Sequence, residues 1–142
     1  MQNYFEVKAS FVKVDDEGKE RKVSESYLFD AVSFTDAEAR ITKQLAEIIR
    51  GEFVVDKISK SRIIEVFPHE NGEYWWKAKI NIVTIDEKAG KEKKISNYFL
   101  IAADDLKQAT QRLEEGLSYV LVPYQVVGIA VSNIVEVYGY SE

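Results

Sequence analysis

The sequence predicts an α+β fold, a tandem duplication of a β-β-α-β unit with a mainly antiparallel sheet, two helices and pseudo-two-fold symmetry. Three observations predict it. The chain is written twice: Val55, Ile58, Ser61, Ile63, Ile64, Glu65, Val66 and Phe67 recur as Val126, Ile129, Ser132, Ile134, Val135, Glu136, Val137 and Tyr138. A repeat of this length marks one supersecondary unit packed against its copy. Each copy opens on period-two alternation, Phe5, Val7, Ala9, Phe11 and Trp76, Ala78, Ile80, Ile82, as expected of half-buried strands. Each copy then carries a helical stripe, Ala37, Ile41, Leu45, Ile48 and Ala109, Leu113, Leu117, Val120. These readings give one domain over residues 1–142, with a first unit at 3–67, a second at 74–138 and a linker at 68–73.

In the first strand of each copy the alternation slips phase, at Phe11-Val12 and at Ile82-Val83, which points to a β-bulge or strong twist there. Turns follow at Asp15-Asp16-Glu17-Gly18-Lys19 and at Asp86-Glu87-Lys88-Ala89-Gly90-Lys91. Glycine after short polar residues between two strand patterns signals a hairpin. The second strands contain Tyr27-Leu28-Phe29 and Phe99-Leu100-Ile101. Thr35 followed by Glu38 reads as the capping box of the first helix, and Gly51 as its end. Asp104 or Asp105 caps the second helix, and Pro123 marks its end. This makes six long strands. The third segments are long for single strands, and each has room to continue into a bent second half.

A chain with 46% hydrophobic and 30% charged residues is folded and large enough for a core. Its net charge of −5 is spread over both halves, with no basic arm, so nucleic acid is not an expected partner. There is no cysteine, which removes disulfides, thiolate catalysis and Cys-ligated metals and suits a reducing cytoplasmic setting. The N-terminus has no leader-like apolar region, and no apolar run is long enough to cross a membrane.

Several blocks carry a family likeness: Tyr4-Phe5-Glu6-Val7-Lys8, Ser33-Phe34-Thr35-Asp36-Ala37-Glu38-Ala39-Arg40-Ile41, Gly51-Glu52-Phe53, and the turn from Asp86 to Lys94. With these the chain resembles a family of unknown function, number 4494, from Bacteroidota and some of their phages. The resemblance spans essentially the whole chain. It implies a small intracellular protein and carries no catalytic residues over.

No P-loop, dinucleotide fingerprint, nucleophile elbow or zinc-protease motif is present. The single histidine, His69, lies in the linker, where a solvated loop residue is expected. Glu65 and Glu136 occupy matched strand positions. Across a pseudo-dyad they would share a proton or hold a cation; on an alternating strand they would simply face water, or pair with Arg40 and Arg112. The acidic turn residues lack the spaced ligand set of a calcium loop. No catalytic group, cofactor or metal site is therefore expected, and the chain reads as a non-enzyme.

The copies differ where charge is lost. Asp30, Asp56, Lys60 and Arg62 of the first correspond to Ala102, Val127, Val131 and Asn133 of the second, while Tyr4 and Ser26 correspond to Trp75 and Tyr98. The stretch 126–131 is apolar on both faces, a pattern normally covered on both. Cover from within would follow if this strand lay at the centre of the sheet. Cover from outside would make Trp75, Tyr98, Val127, Ile129 and Val131 an interface. The leading expectation is a protein-binding or assembly module, with a homodimer or another protein as partner. The alternative is a binder of a small ligand, such as a nucleotide or signalling molecule, with a pocket at the pseudo-dyad.

Overall fold

A computed structural model describes residues 3–139 of the chain. In order, the elements are β1 (Tyr4–Val14), β2 (Glu20–Asp30), α1 (Phe34–Ile48), β3 (Phe53–Lys60), β4 (Ile63–Phe67), β5 (Tyr74–Asp86), β6 (Lys91–Ala103), α2 (Leu106–Gly116), β7 (Tyr124–Val131) and β8 (Ile134–Tyr138). The class is α+β with two helices, as expected. Among the described residues there are eight strands rather than six, because each long third segment breaks in two, at Ser61-Arg62 and at Ser132-Asn133.

The strands form two four-stranded sheets, β3-β1-β2-β8 and β4-β6-β5-β7. The chain divides accordingly into two compact units, Met1–Ser61 with Asn133–Glu142, and Arg62–Ser132. The terminal strand of each sequence copy thus belongs to the sheet built mainly by the other copy. Residues 68–73, which lie between the two sequence copies, join β4 to β5 inside the second unit. β8 runs parallel to β2 and β4 parallel to β6, while the other four ladders are antiparallel. Both sheets are therefore mixed. A hairpin forces antiparallel pairing on its own strands, whereas a strand arriving from the other unit is free of that constraint.

In the first unit, the β1–β2 hairpin is closed by Asp15. Its carboxylate accepts from the Glu17 and Lys19 amides at 3.0 and 2.9 Å, and Gly18 supplies the positive φ of 80°. The acidic turn residue thus holds backbone, and Asp86 does the same for the Lys88 and Ala89 amides. The α1 cap is Ser33, two residues before the expected Thr35. Ser33 Oγ accepts from the Asp36 amide at 3.1 Å, and the Asp36 carboxylate accepts from the Val32 amide at 3.0 Å. This is a reciprocal box built with aspartate. Ala37, Ile41 and Leu45 face Phe5, Val7, Ala9, Tyr27 and Phe29. β8 adds Tyr138, whose ring lies 4.9 Å from that of Phe29.

In the second unit, Asp105 caps α2, as one of the two expected candidates. It accepts from the Gln108 amide at 2.8 Å, while Gln108 accepts from the Asp104 amide at 2.8 Å. Leu113 and Leu117 pack on Ala78, Ile80, Phe99 and Ile101. β4 contributes Phe67, stacked on Phe99 at 5.5 Å.

The expected phase slip at Phe11-Val12 and Ile82-Val83 is not a bulge: the β1–β2 and β5–β6 ladders run through it unbroken. The apolar side chains responsible, Val12, Val14 and Ile85, are exposed at strand ends. The bulges lie one strand over. The β1–β3 ladder passes from Val55 to Lys57 and skips Asp56; the β5–β7 ladder passes from Val126 to Gly128 and skips Val127.

Candidate functional site

Among the described residues β7 is an edge strand, paired only through β5. The central position that would have covered it on both faces is not what forms. Val126, Val127 and Val131 are 43%, 52% and 56% exposed. The approach to the strand adds Tyr119, Leu121 and Val122, all exposed, with Leu121 at 95%. Residues 116–135 carry no charged side chain, in a chain where 30% of residues are charged. A free edge presents a row of unpaired amides and carbonyls, and natural sheets ordinarily blunt it with charge, particularly lysine. The edge strand of the first sheet follows that rule: β3 places Asp56, Lys57 and Lys60 along its length. β7 does not.

The five sequence-predicted interface residues separate into three groups. Val127 and Val131 lie on the exposed edge, Val127 as the bulged residue and Val131 opposite Trp76. Ile129 pairs with Ala78 and packs against the helix-facing core, so it is scaffold. Trp75 and Tyr98 share the face of the sheet away from α2, through the pairs Trp75–Ala102, Lys77–Leu100 and Lys79–Tyr98. Both are half-buried. The aromatic partners of that face are cations: Arg62 Cζ lies 4.7 Å from the Tyr98 ring centroid, Lys77 Nζ 5.1 Å and Lys79 Nζ 6.0 Å. Sequence reasoning passed over this cluster because Arg62 is remote in the chain from β5 and β6 and is brought beside them only by the break between β3 and β4.

Of the matched carboxylates, Glu65 pairs in register with Phe99 on β6, and its Oε2 accepts from the Tyr119 hydroxyl at 2.8 Å. Local desolvation of the hydroxyl, reinforced by that hydrogen bond and by the Glu65 charge, raises the Tyr119 pKa. Glu136 pairs with Tyr27 on β2 and accepts from the Val137 amide at 3.1 Å. The helix arginines have other partners: Arg40 donates to Asp36 at 3.0 Å and Arg112 to the Ala102 carbonyl at 2.7 Å. Among the described residues no cluster of three or more His, Cys, Asp or Glu side chains is placed to hold a metal. His69 is exposed in the β4–β5 turn. No helix among the described residues is long and apolar enough to cross a membrane.

One family model, described as Domain of unknown function (DUF4494), matches residues 3–140. No curated protein and no solved structure matches the chain.

Proposed function

Since the chain belongs to the family Domain of unknown function (DUF4494), whose description assigns no activity, we propose from its own surface that it is a non-enzymatic assembly module. Its β7 edge pairs with the β7 edge of a second copy. The observation that carries this reading is the uncharged, exposed edge of Tyr124–Val131 beside an equally exposed apolar approach. An antiparallel pairing about a two-fold axis sets the same strand against itself, so the patch must be self-complementary. β7 is: no like charges meet, and the valines of one strand lie beside those of the other. The same operation on β3 would bring its lysines and aspartate together in a confined strip. The added area from Tyr119, Leu121 and Val122 matters, because a short strand pair alone falls below the usual size of a stable interface.

The tandem duplication is part of the reading. From the edge inward, the sheet orders are β3-β1-β2-β8 and β7-β5-β6-β4, and corresponding strands occupy corresponding places. With a duplicated scaffold, one edge retains its protection and the other is released for association.

Light scattering coupled to size exclusion tests the proposal. The wild type is expected to run as a dimer, and a Val127→Lys, Val131→Lys double variant as a monomer with an unchanged far-ultraviolet spectrum. A monomeric wild type at micromolar concentration would refute it.

A further inference from the structure

The cation cluster around Tyr98 is not repeated on the first sheet. There the corresponding ladder positions hold Glu6 opposite Leu28 and Lys8 opposite Ser26, so one lysine is replaced by an acid and the tyrosine by a serine. The neighbouring edge strand differs too. Lys8 faces Lys57 on β3, whereas Lys79 faces Gly128 on β7 and Lys77 faces Ala130. A side chain added at Gly128 would meet no atom within 4 Å, so the space beside Lys79 is open. The ion pairs Lys13–Glu25, Arg21–Asp15 and Arg40–Asp36 use none of the three cations. Three positive charges thus converge on one ring in a chain of net charge −5, and the β7 residues opposite the two lysines are small and uncharged.

The ring explains why the cations gather: the face of a tyrosine attracts ammonium and guanidinium groups. It does not neutralise them. We propose that Arg62, Lys77, Lys79 and Tyr98 form a binding site for a phosphate-bearing small molecule. The guanidinium, beside β4, supplies a planar fork for two oxygens, and the two lysines, both on β5, supply point charges across β6 from it. Their spread around the ring favours a di- or triphosphate over a single phosphate. A nucleic-acid strand is a worse fit, because it would need a track of cations longer than this cluster. The site stands on the opposite face from α2 and does not depend on the β7 edge pairing.

Calorimetric titration with inorganic phosphate, pyrophosphate, tripolyphosphate and a nucleoside triphosphate, at low and moderate salt, tests the site. Tripolyphosphate is expected to bind more tightly than phosphate. Arg62→Gln and a Lys77→Gln, Lys79→Gln variant are each expected to weaken it by about tenfold. Lys57→Gln on the first sheet should leave it unchanged. A nucleoside triphosphate binding tighter than tripolyphosphate would identify a nucleotide as the source; equal binding would leave the phosphates as the whole determinant. Absence of binding to the wild type overturns the proposal whatever the variants do. So does binding insensitive to Arg62, Lys77 and Lys79, or tighter binding of a single-stranded oligonucleotide.

Discussion

The Ser10 hydroxyl donates to the Asp56 carboxylate, and Asp56 is the residue that the β1–β3 ladder skips. Ser10 is buried and also contacts the Ser24 hydroxyl at 3.0 Å. In the second sheet the skipped residue is Val127. There Ser96 donates to Asn81 at 2.9 Å, so the polar pair is satisfied without the bulge. A shared backbone irregularity therefore serves an internal hydrogen bond in one sheet and presents an apolar side chain in the other. Asp56→Val should cost about 1 kcal/mol in urea unfolding, because Ser10 keeps one partner and the lost acceptor is exposed. An unchanged midpoint would show that the bond contributes nothing net.

The helix caps give a second expectation. Ser33→Ala and Asp105→Ala each remove a side-chain acceptor for a first-turn amide. Each should lower stability by about 1 kcal/mol, read as a shift in thermal or urea midpoint. Thr35→Ala, at the position sequence spacing had suggested, should be close to neutral by comparison.

Gly72 tests the close packing of the β4–β5 turn. A Cβ there would lie 2.6 Å from the Ala102 backbone carbon and 2.8 Å from the Ala103 nitrogen. Backbone cannot step aside as a flexible side chain does, so Gly72→Ala should destabilise by roughly 1–3 kcal/mol. Gly128→Ala, in open space, should be tolerated.

Alkaline pH should weaken the fold. Burial first, then the hydrogen bond to Glu25 and its charge, holds the Tyr27 phenol well above its ordinary pKa of 10.0. Tyr119 and Tyr138 are raised as well. Above about pH 10 the unfolded phenol has lost its proton while the folded one retains it, so the stability this group contributes is complete below that pH and falls as pH rises. Urea midpoints from about pH 8 to 12 should decline at the alkaline end. Tyr27→Phe should flatten the decline without abolishing it, since two raised phenols remain. A slope identical to wild type would contradict the assignment.

Much of this was legible in the chain. The helix stripes through Ile41 and Leu113, the hairpin turns at Asp15 and Asp86, and the cap at Asp105 are local patterns, and local patterns survive folding. The placement of β4 and β8 was not legible, because pairing partners distant in sequence leave no periodic mark. Ser61-Arg62 and Ser132-Asn133 do interrupt the apolar alternation, and that polar break is the signal a closer reading would use. Phe11-Val12 reads as a bulge or strong twist because exposed valines at a strand end mimic a change of face. Comparing the copies selects the candidate interface residues, but Ile129, selected with them, serves the core. The Tyr98 cations went unseen because Arg62 reaches that ring only through the break before β4.

The central claim is that an unprotected β7 edge joins two copies of the chain. Its most direct measurement is the solution mass of the wild type and of the Val127→Lys, Val131→Lys variant by light scattering. Paired edges would set these lysines close together across the two-fold axis, where like charges are unfavourable. The account predicts twice the monomer mass of 16.3 kDa for the wild type and the monomer mass for the variant. A wild type at the monomer mass, or a variant that remains dimeric, would contradict it.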